Sequence, residues 1–424
     1  MRERLVLAAS ALAALVLAAG TAAGQASARP DGGIPRRVHH PDPWLPGTDV
    51  TGPPGTIAVL QQVAHARARW FSLDTGPGLL AVSAENGHYA YLDLPHWQPG
   101  SHATLSPDGR YVAWFELDAP SPAGDVASRT LGLYDATTGR VRHRRLPVDG
   151  VFRGILPDVM LWGPGSTVLV VPTCETRLPH AATCESHHPT LVEVRGGRAT
   201  SGRRLALTDR AGDDTFVSGG DLGWGPDGLV LVTGPGRTLR PVDPATAGPG
   251  VHALLLADRP VSVPVLSPHG TAVAFLDARA GARRLALAAV AAPGARIVSR
   301  PVATGWSVYA VVGWRDERTV VVLGSQGRRV AALAVDSRTG TVTPYLTLDR
   351  PVEQAPRAPD SLVRDQLQLA RDLLAQPQPA GTSPGDRSDP RIVVADAVLA
   401  VGLLIVLARG AARRLSRRRA AQRR

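Results

Sequence analysis

The sequence predicts an all-β fold built from repeated four-stranded units, and three observations carry that expectation. Gly (44) and Pro (37) together make just under a fifth of the 424 residues, too many for a mostly helical protein and too few and aperiodic for a collagen-like or wholly disordered one. From Thr56 to Asp349, short apolar or alternating runs sit between Gly, Pro and Asp turns, and no helical period is sustained. Within that stretch one unit recurs: an apolar residue or Trp, a Pro-Asp-Gly-type turn, then a β-branched and aromatic strand.

The elements follow in chain order. Residues 1–28 place Arg2 and Arg4 ahead of an apolar stretch from Leu5 to Ala19 and end on Ala26-Ser27-Ala28, the pattern of a secretory signal peptide. The apolar stretch is short for a span, which favours cleavage over an uncleaved anchor. Residues 29–55, rich in Pro and Gly, read as a linker. The recurring unit then appears as LSPDGRYVAWFEL (105–117), WGPGSTVLVVP (162–172), WGPDGLVLVTG (224–234), LSPHGTAVAFLDA (266–278) and WRDERTVVVLG (314–324). In such a hairpin Pro sets φ, Gly supplies positive φ, and the next strand inserts alternate side chains between sheets. The units are 57, 62, 42 and 48 residues apart, near the interval of about 40–50 expected of four-stranded blades if the first two carry insertions. Three are followed by a second strand pair, at 131–147, 191–207 and 330–348, and residues 78–95 look like the outer strands of an earlier blade.

These residues carry a resemblance. The turns Ser106-Pro107-Asp108-Gly109 and Ser267-Pro268-His269-Gly270, each followed by Val-Ala-Trp or Val-Ala-Phe, and the later Asp-x-x-Thr-Gly hairpins resemble the WD-repeat-like units of TolB-type β-propellers. A further turn of the set is Trp224 with Pro226, Asp227 and Gly228. At Trp314 the pattern degenerates, with Asp316 and Glu317 in place of Pro-Asp-Gly, and the Trp-Asp dipeptide of true WD repeats is absent. The resemblance spans residues 56–350 and implies a propeller of about six blades, with seven possible; an antiparallel sandwich is the alternative.

After it, residues 360–375 (DSLVRDQLQLARDLLA) set apolar side chains on one helical face and charged ones on the other, so an amphipathic helix is expected. Residues 376–390 read as a juxtamembrane spacer. Residues 391–408, apolar apart from Arg391 and Asp396, read as one transmembrane helix, and 409–424, with eight Arg and no acid, as a cytoplasmic tail. This divides the formal net charge of +11: the tail holds eight of those charges, and residues 29–391, with 37 basic and 34 acidic side chains, are nearly neutral. A nucleic-acid ligand therefore loses its support. The chain has no Lys and a single Asn, Asn86, which points to a GC-rich, actinobacterial type of genome.

The cysteines, Cys174 and Cys184, share one loop, and outside the cell they are expected to form a disulfide. A metal site with His180, His187 and His188 is the rival reading, although the spacing matches no common zinc pattern. GWGPDG (223–228) formally matches the dinucleotide Gly fingerprint but precedes a strand and contains Pro226, so it reads as a hairpin turn. No nucleophile elbow, zinc-protease or P-loop string occurs, and the turn acids Asp108, Asp135, Asp227 and Asp336 are the ordinary structural choice. No catalytic residue, cofactor or metal is expected. The expectation is a plasma-membrane, single-pass protein with an extracellular propeller that binds a protein, peptide or cell-envelope ligand; a cell-envelope hydrolase or lyase acting at the propeller mouth is the alternative.

Overall fold

A computed structural model describes residues 32–69, 72–97, 103–116, 130–145, 160–175, 186–199, 203–204, 222–225, 230–234, 238–243, 248–249, 255–257, 261–277, 284–290, 296–327, 329–349, 367–381 and 398–410. Short strand β1 (Arg37–Val38) and one-turn helix α1 (Thr48–Thr51) precede a first sheet of β2 (Ile57–Arg69), β3 (Ser72–Ser83) and β4 (Tyr89–Tyr91). The second sheet is the meander β5 (Ala103–Leu105), β6 (Tyr111–Glu116), β7 (Thr130–Asp135) and β8 (Arg140–Arg145). The third holds β9 (Leu161–Trp162), β10 (Val168–Glu175), β11 (Ser186–Arg195), β12 (Arg198–Ala199) and β13 (Arg203–Arg204).

A ten-stranded sheet follows. Its first part is β14 (Leu222–Trp224), β15 (Val230–Gly234), β16 (Thr238–Asp243), β17 (Gly248–Pro249) and β18 (Leu255–Ala257). Its second part is β19 (Val261–Leu266), β20 (Ala272–Asp277), β21 (Arg284–Ala289), β22 (Arg296–Ile297) and β23 (Ser299–Pro301). The fifth sheet is β24 (Ser307–Trp314), β25 (Thr319–Gln326), β26 (Arg329–Asp336) and β27 (Val342–Leu348), with β1 added to β27 in parallel.

The sheets pack face to face in a ring, which makes the fold a β-propeller. Leu60 and Ala81 of the first sheet cluster with Leu105 and Trp114 of the second. Phe115 and Leu133 of the second meet Trp162 and Val192 of the third. Trp224 lies against Gly163, joining the third sheet to the ten-stranded one, whose Leu276 and Leu285 pack on Val311 and Val322 of the fifth. The circle closes where Leu323 and Leu346 pack on Leu80 and Tyr91. The leading strands β5, β9, β14, β19 and β24 touch one another in turn, apart from the step from β9 to β14 and the step from β24 back to the first sheet, and so lie nearest the axis.

The ring is locked at both chain ends. Strand β28 (Leu367–Leu369) pairs antiparallel with β2 and becomes the leading strand of the first sheet. Two expectations change here. The described part of the expected 360–375 helix is β28 and a single 3-10 turn at Arg371–Leu373, and residues 360–366 lie outside the described residues. The apolar spacing fits two periods: Leu367 and Leu369, two apart, are both buried, and Gln368 between them bonds to β5. The expected linker at 29–55 is part of the fold over its described residues 32–55, because Ile34, Val38 and Leu45 are buried between the first and fifth sheets. The propeller thus extends beyond residues 56–350 on both sides.

Residues 1–28 and the basic tail from residue 411 lie outside the described residues, as does most of the spacer. Residues 398–410 are helical. Among the described residues no helix is long and apolar enough to cross a membrane.

Candidate functional site: the motif-turn face

In an antiparallel meander the first and third turns lie at the same end, so the recurring turns and the Asp-x-x-Thr-Gly hairpins share one face of the ring. The Ser-Pro-x-Gly turns are built alike. The N–H groups of Ser106 and Ser267 donate to Tyr111 O and Ala272 O, both at 2.8 Å, and their carbonyls accept the N–H of Gly109 and Gly270 at 2.9 and 2.8 Å. Each Ser hydroxyl also accepts the backbone N–H five residues on, from Tyr111 at 2.8 Å and Ala272 at 3.1 Å. Gly109 and Gly270 have φ of 74° and 70°, the left-handed conformation that Gly adopts freely.

The turns are also stitched to each other. The backbone N–H of Asp108 donates to Ser166 Oγ on the next turn at 3.1 Å. The equivalent N–H of His269 donates to Glu317 Oε1 at 2.6 Å, while Thr271 Oγ1 donates to Glu317 Oε2 at 2.9 Å. Indoles add a deeper layer: Trp162 Nε1 donates to Thr104 O at 3.2 Å and Trp314 Nε1 to Val265 O at 3.0 Å, each reaching the preceding leading strand. Trp224 is buried on β14, and its Nε1 has no partner among the described residues.

The carboxylates of this face serve the backbone. Asp316 accepts the N–H groups of Arg318 and Thr319, Asp336 those of Arg338 and Thr339, and Asp135 that of Thr137 plus the Arg110 guanidinium at 3.1 Å. The amide bond from Thr339 is the main reason Asp336 lies below the ordinary carboxylate pKa. Burial alone would raise Asp135 and Glu317; their hydrogen bonds outweigh it and hold both below their usual values. Between the turns at 268 and 316 lies an open groove of 720 Å³, edged by His269, Glu317, Arg318 and Asp336.

At the mouth of the ring, the 3-10 turn after β28 takes the place of a motif turn in the first sheet. Asp372 N–H donates to Pro107 O at 2.9 Å, and the stem of Arg371 lies over Gly313. Burial lowers the pKa of Arg371 and raises that of Asp372, 4.0 Å away.

Of the residues singled out from sequence, Ser106, Pro107, Asp108, Gly109, Ser267, Pro268 and Gly270 form matching turns on this face. Pro226, Asp227 and Gly228 lie outside the described residues. So do Cys184 and His180; Cys174 sits on β10 opposite His187 of β11. Among the described residues no group of three His, Cys, Asp or Glu could hold a metal ion. Sequence reasoning missed the bonds by which Ser166, Glu317 and Gln368 join neighbouring sheets. Gln368 leaves a signal as a polar residue between two strand leucines, and Glu317 leaves one as an acid where the motif has Asp-Gly.

No family model matches the chain, and no curated protein matches it. Solved structures similar to it include TolB from Acinetobacter baumannii (15% identity over 70% of this chain and 66% of that one, TM-score 0.38). Others are the periplasmic gluconolactonase PpgL of Pseudomonas aeruginosa (16%, 71% and 85%, 0.41) and hydrazine synthase of Kuenenia stuttgartiensis (17%, 62% and 71%, 0.37). At these identities and scores the likeness assigns no activity.

Proposed function

We propose that this chain is a membrane-tethered, extracytoplasmic propeller of six blades that serves as a binding platform for a protein, peptide or cell-envelope ligand. The blade count follows from splitting the ten-stranded sheet. Its meanders β14–β15–β16–β18 and β19–β20–β21–β23 each begin at a recurring unit, and among the described residues the pairing of Trp224 with Val265 is the only one between β14 and β19.

The observation that carries the platform reading is how the acids of the motif-turn face are used. Asp135, Asp316, Glu317 and Asp336 are engaged by backbone amides of their own or the neighbouring turn, and the shifts at Asp135, Glu317 and Asp336 run away from neutral pH, where a general acid or base would work; Asp372, which burial raises beside Arg371, is the exception on this face. A rim held rigid in this way presents loops, and in a propeller the function resides in the loops.

The tether rests on the helix at 398–410. Val398, Leu399, Leu403, Leu404, Val406 and Leu407 are all exposed around its circumference, a surface suited to lipid, and the apolar run begins at Ile392. The Arg-rich tail supports a cytoplasmic C-terminus. A Cys174–Cys184 bridge belongs to the same reading, since that compartment is oxidising.

Photo-crosslinking of the full chain in its native membrane, from probes on the propeller rim, should trap one discrete partner. A smear common to all probe positions, or turnover of an envelope substrate by the purified chain, would replace the platform with another function. A reporter after Arg424 should work only in the cytoplasm and one at Gly381 only outside.

A further inference from the structure

Strand β8 reads Arg140-Val141-Arg142-His143-Arg144-Arg145 and ends the second sheet, with no strand beyond it among the described residues. Alternation places Arg140, Arg142 and Arg144 on the face shared with Asp135, Leu133 and Leu131 of β7, the side turned to the third sheet. Val141, His143 and Arg145 take the other face. The acids nearby are engaged: Asp135 by Arg110 and Thr137, and Glu116 by His143. Among the described residues no ion pair or side-chain hydrogen bond reaches the guanidinium groups of Arg140, Arg142 and Arg144.

A charge on an edge strand guards against edge-to-edge pairing, and one or two would serve. Three other sheet rims manage differently. Tyr89–Tyr91 is buried, β27 is covered by β1, and Arg300 of β23 donates to the carbonyls of Ser337 and Arg338. On β8, three like charges stand in a row at two-residue intervals, where they repel one another through solvent.

Two residues of strand advance about 6.7 Å, so the three guanidinium groups form a ruler with that repeat. We propose that this rim binds a linear phosphodiester polymer laid along β8, one phosphate per arginine. Arginine suits phosphate through paired, charge-assisted N–H bonds, and a three-carbon linker between phosphates reproduces the interval. A bilayer surface spreads its phosphates in two dimensions and does not match a single row. The inference rests on the platform reading and names its ligand class.

The test uses the full chain in nanodiscs of zwitterionic lipid and labelled poly(glycerol phosphate) as probe, read by anisotropy from about 50 to 200 mM salt. Binding should weaken with a log–log salt slope of about −2 to −3, the value for three neutralised phosphates. The triple variant R140Q/R142Q/R144Q should lose on the order of 100-fold in affinity, and Arg142→Gln alone on the order of 5-fold. Arg145→Gln, on the opposite face, should stay within about threefold. A melting temperature shared by the variants keeps the comparison clean, and if the triple variant does not fold, Arg142→Gln decides.

No polymer binding, equal losses for Arg142→Gln and Arg145→Gln, or equal competition by inorganic phosphate at matched phosphate concentration would overturn the proposal. So would preferential binding to phosphatidylglycerol vesicles, which would make the occupant a membrane. Should the polymer fail while crosslinking at another rim traps a partner, this assignment falls and the platform stands.

Discussion

Gln368 ties the late strand β28 of the first sheet to the second sheet. Its Oε1 accepts Leu105 N–H at 2.7 Å and its Nε2 donates to Ala103 O at 2.6 Å, so one side chain pairs with the inner edge of β5 as a further strand would. Both residues are buried, Ala103 at 5% and Leu105 at 7% exposure, so neither group has ready access to water. Gln368→Ala leaves a donor and an acceptor unmet, at about 1–3 kcal/mol each when water cannot enter, and a sum of about 2–4 kcal/mol allows for partial hydration from the axis. Scaled to this chain length, that lowers the melting temperature by about 3–6 °C. Tryptophan fluorescence melts of the full chain in detergent provide the assay, with hydrogen exchange at the Leu105 amide as the local readout. Gln368→Glu keeps the acceptor but aims a carboxylate at Ala103 O, and should be no more stable than Gln368→Ala. A melting temperature unchanged within about 1 °C, with the Leu105 amide still protected, would refute the seam argument.

Gly109 should tolerate nothing larger, since it sits at φ 74° with an added Cβ 2.2 Å from Ile57 O; Gly109→Ala should cost about 2–4 kcal/mol in denaturant melts. Gly305→Ala, at φ 68° in open space, should cost only about 1 kcal/mol by the same measurement. Trp314→Phe removes the indole bond to Val265 O and should cost about 1–2 kcal/mol, whereas Trp224→Phe, which deletes an N–H with no partner among the described residues, should cost less. For pH, the folded-state pKa values of Asp135, Glu317 and Asp336 are depressed, so their stabilisation is fully present above the unfolded values and is lost as pH falls through the folded ones. Melting temperature should therefore be flat in these groups down to about pH 5 and fall below about pH 4.5. Glu317→Gln should flatten that acid limb, and an identical limb in the variant would contradict the assignment.

How much of this was legible from sequence depends on the range of the interactions. The Ser-Pro-x-Gly turns are local: Ser106 bonds residues two to five positions away, and Gly109 is required by its own φ, so composition and spacing suffice to find them. Closure is not local. Gln368 meets Ala103 and Leu105 across more than 260 residues, and β1 reaches β27 from the opposite end of the chain. No window of sequence contains both halves of either contact. The stretch around Leu367 also satisfies helical and strand periods at once, and only the pairing with β2 decides between them.

The degenerate turn at Trp314 shows a subtler limit. Read as a pattern, Asp316 and Glu317 in place of Pro-Asp-Gly are decay of the repeat. In the fold they do two separate tasks. Asp316 rebuilds the turn by accepting the N–H groups of Arg318 and Thr319, which a Pro-Gly pair would otherwise preset through φ. Glu317 leaves the turn altogether and takes the backbone N–H of His269, the ring of His269 and the hydroxyl of Thr271 on the neighbouring blade. At the corresponding seam between the second and third sheets, Ser166 makes one such bond to Asp108. A repeat copy is free to lose the consensus where its side chains gain a neighbour's amide, so departures from the motif mark inter-blade contacts as well as drift.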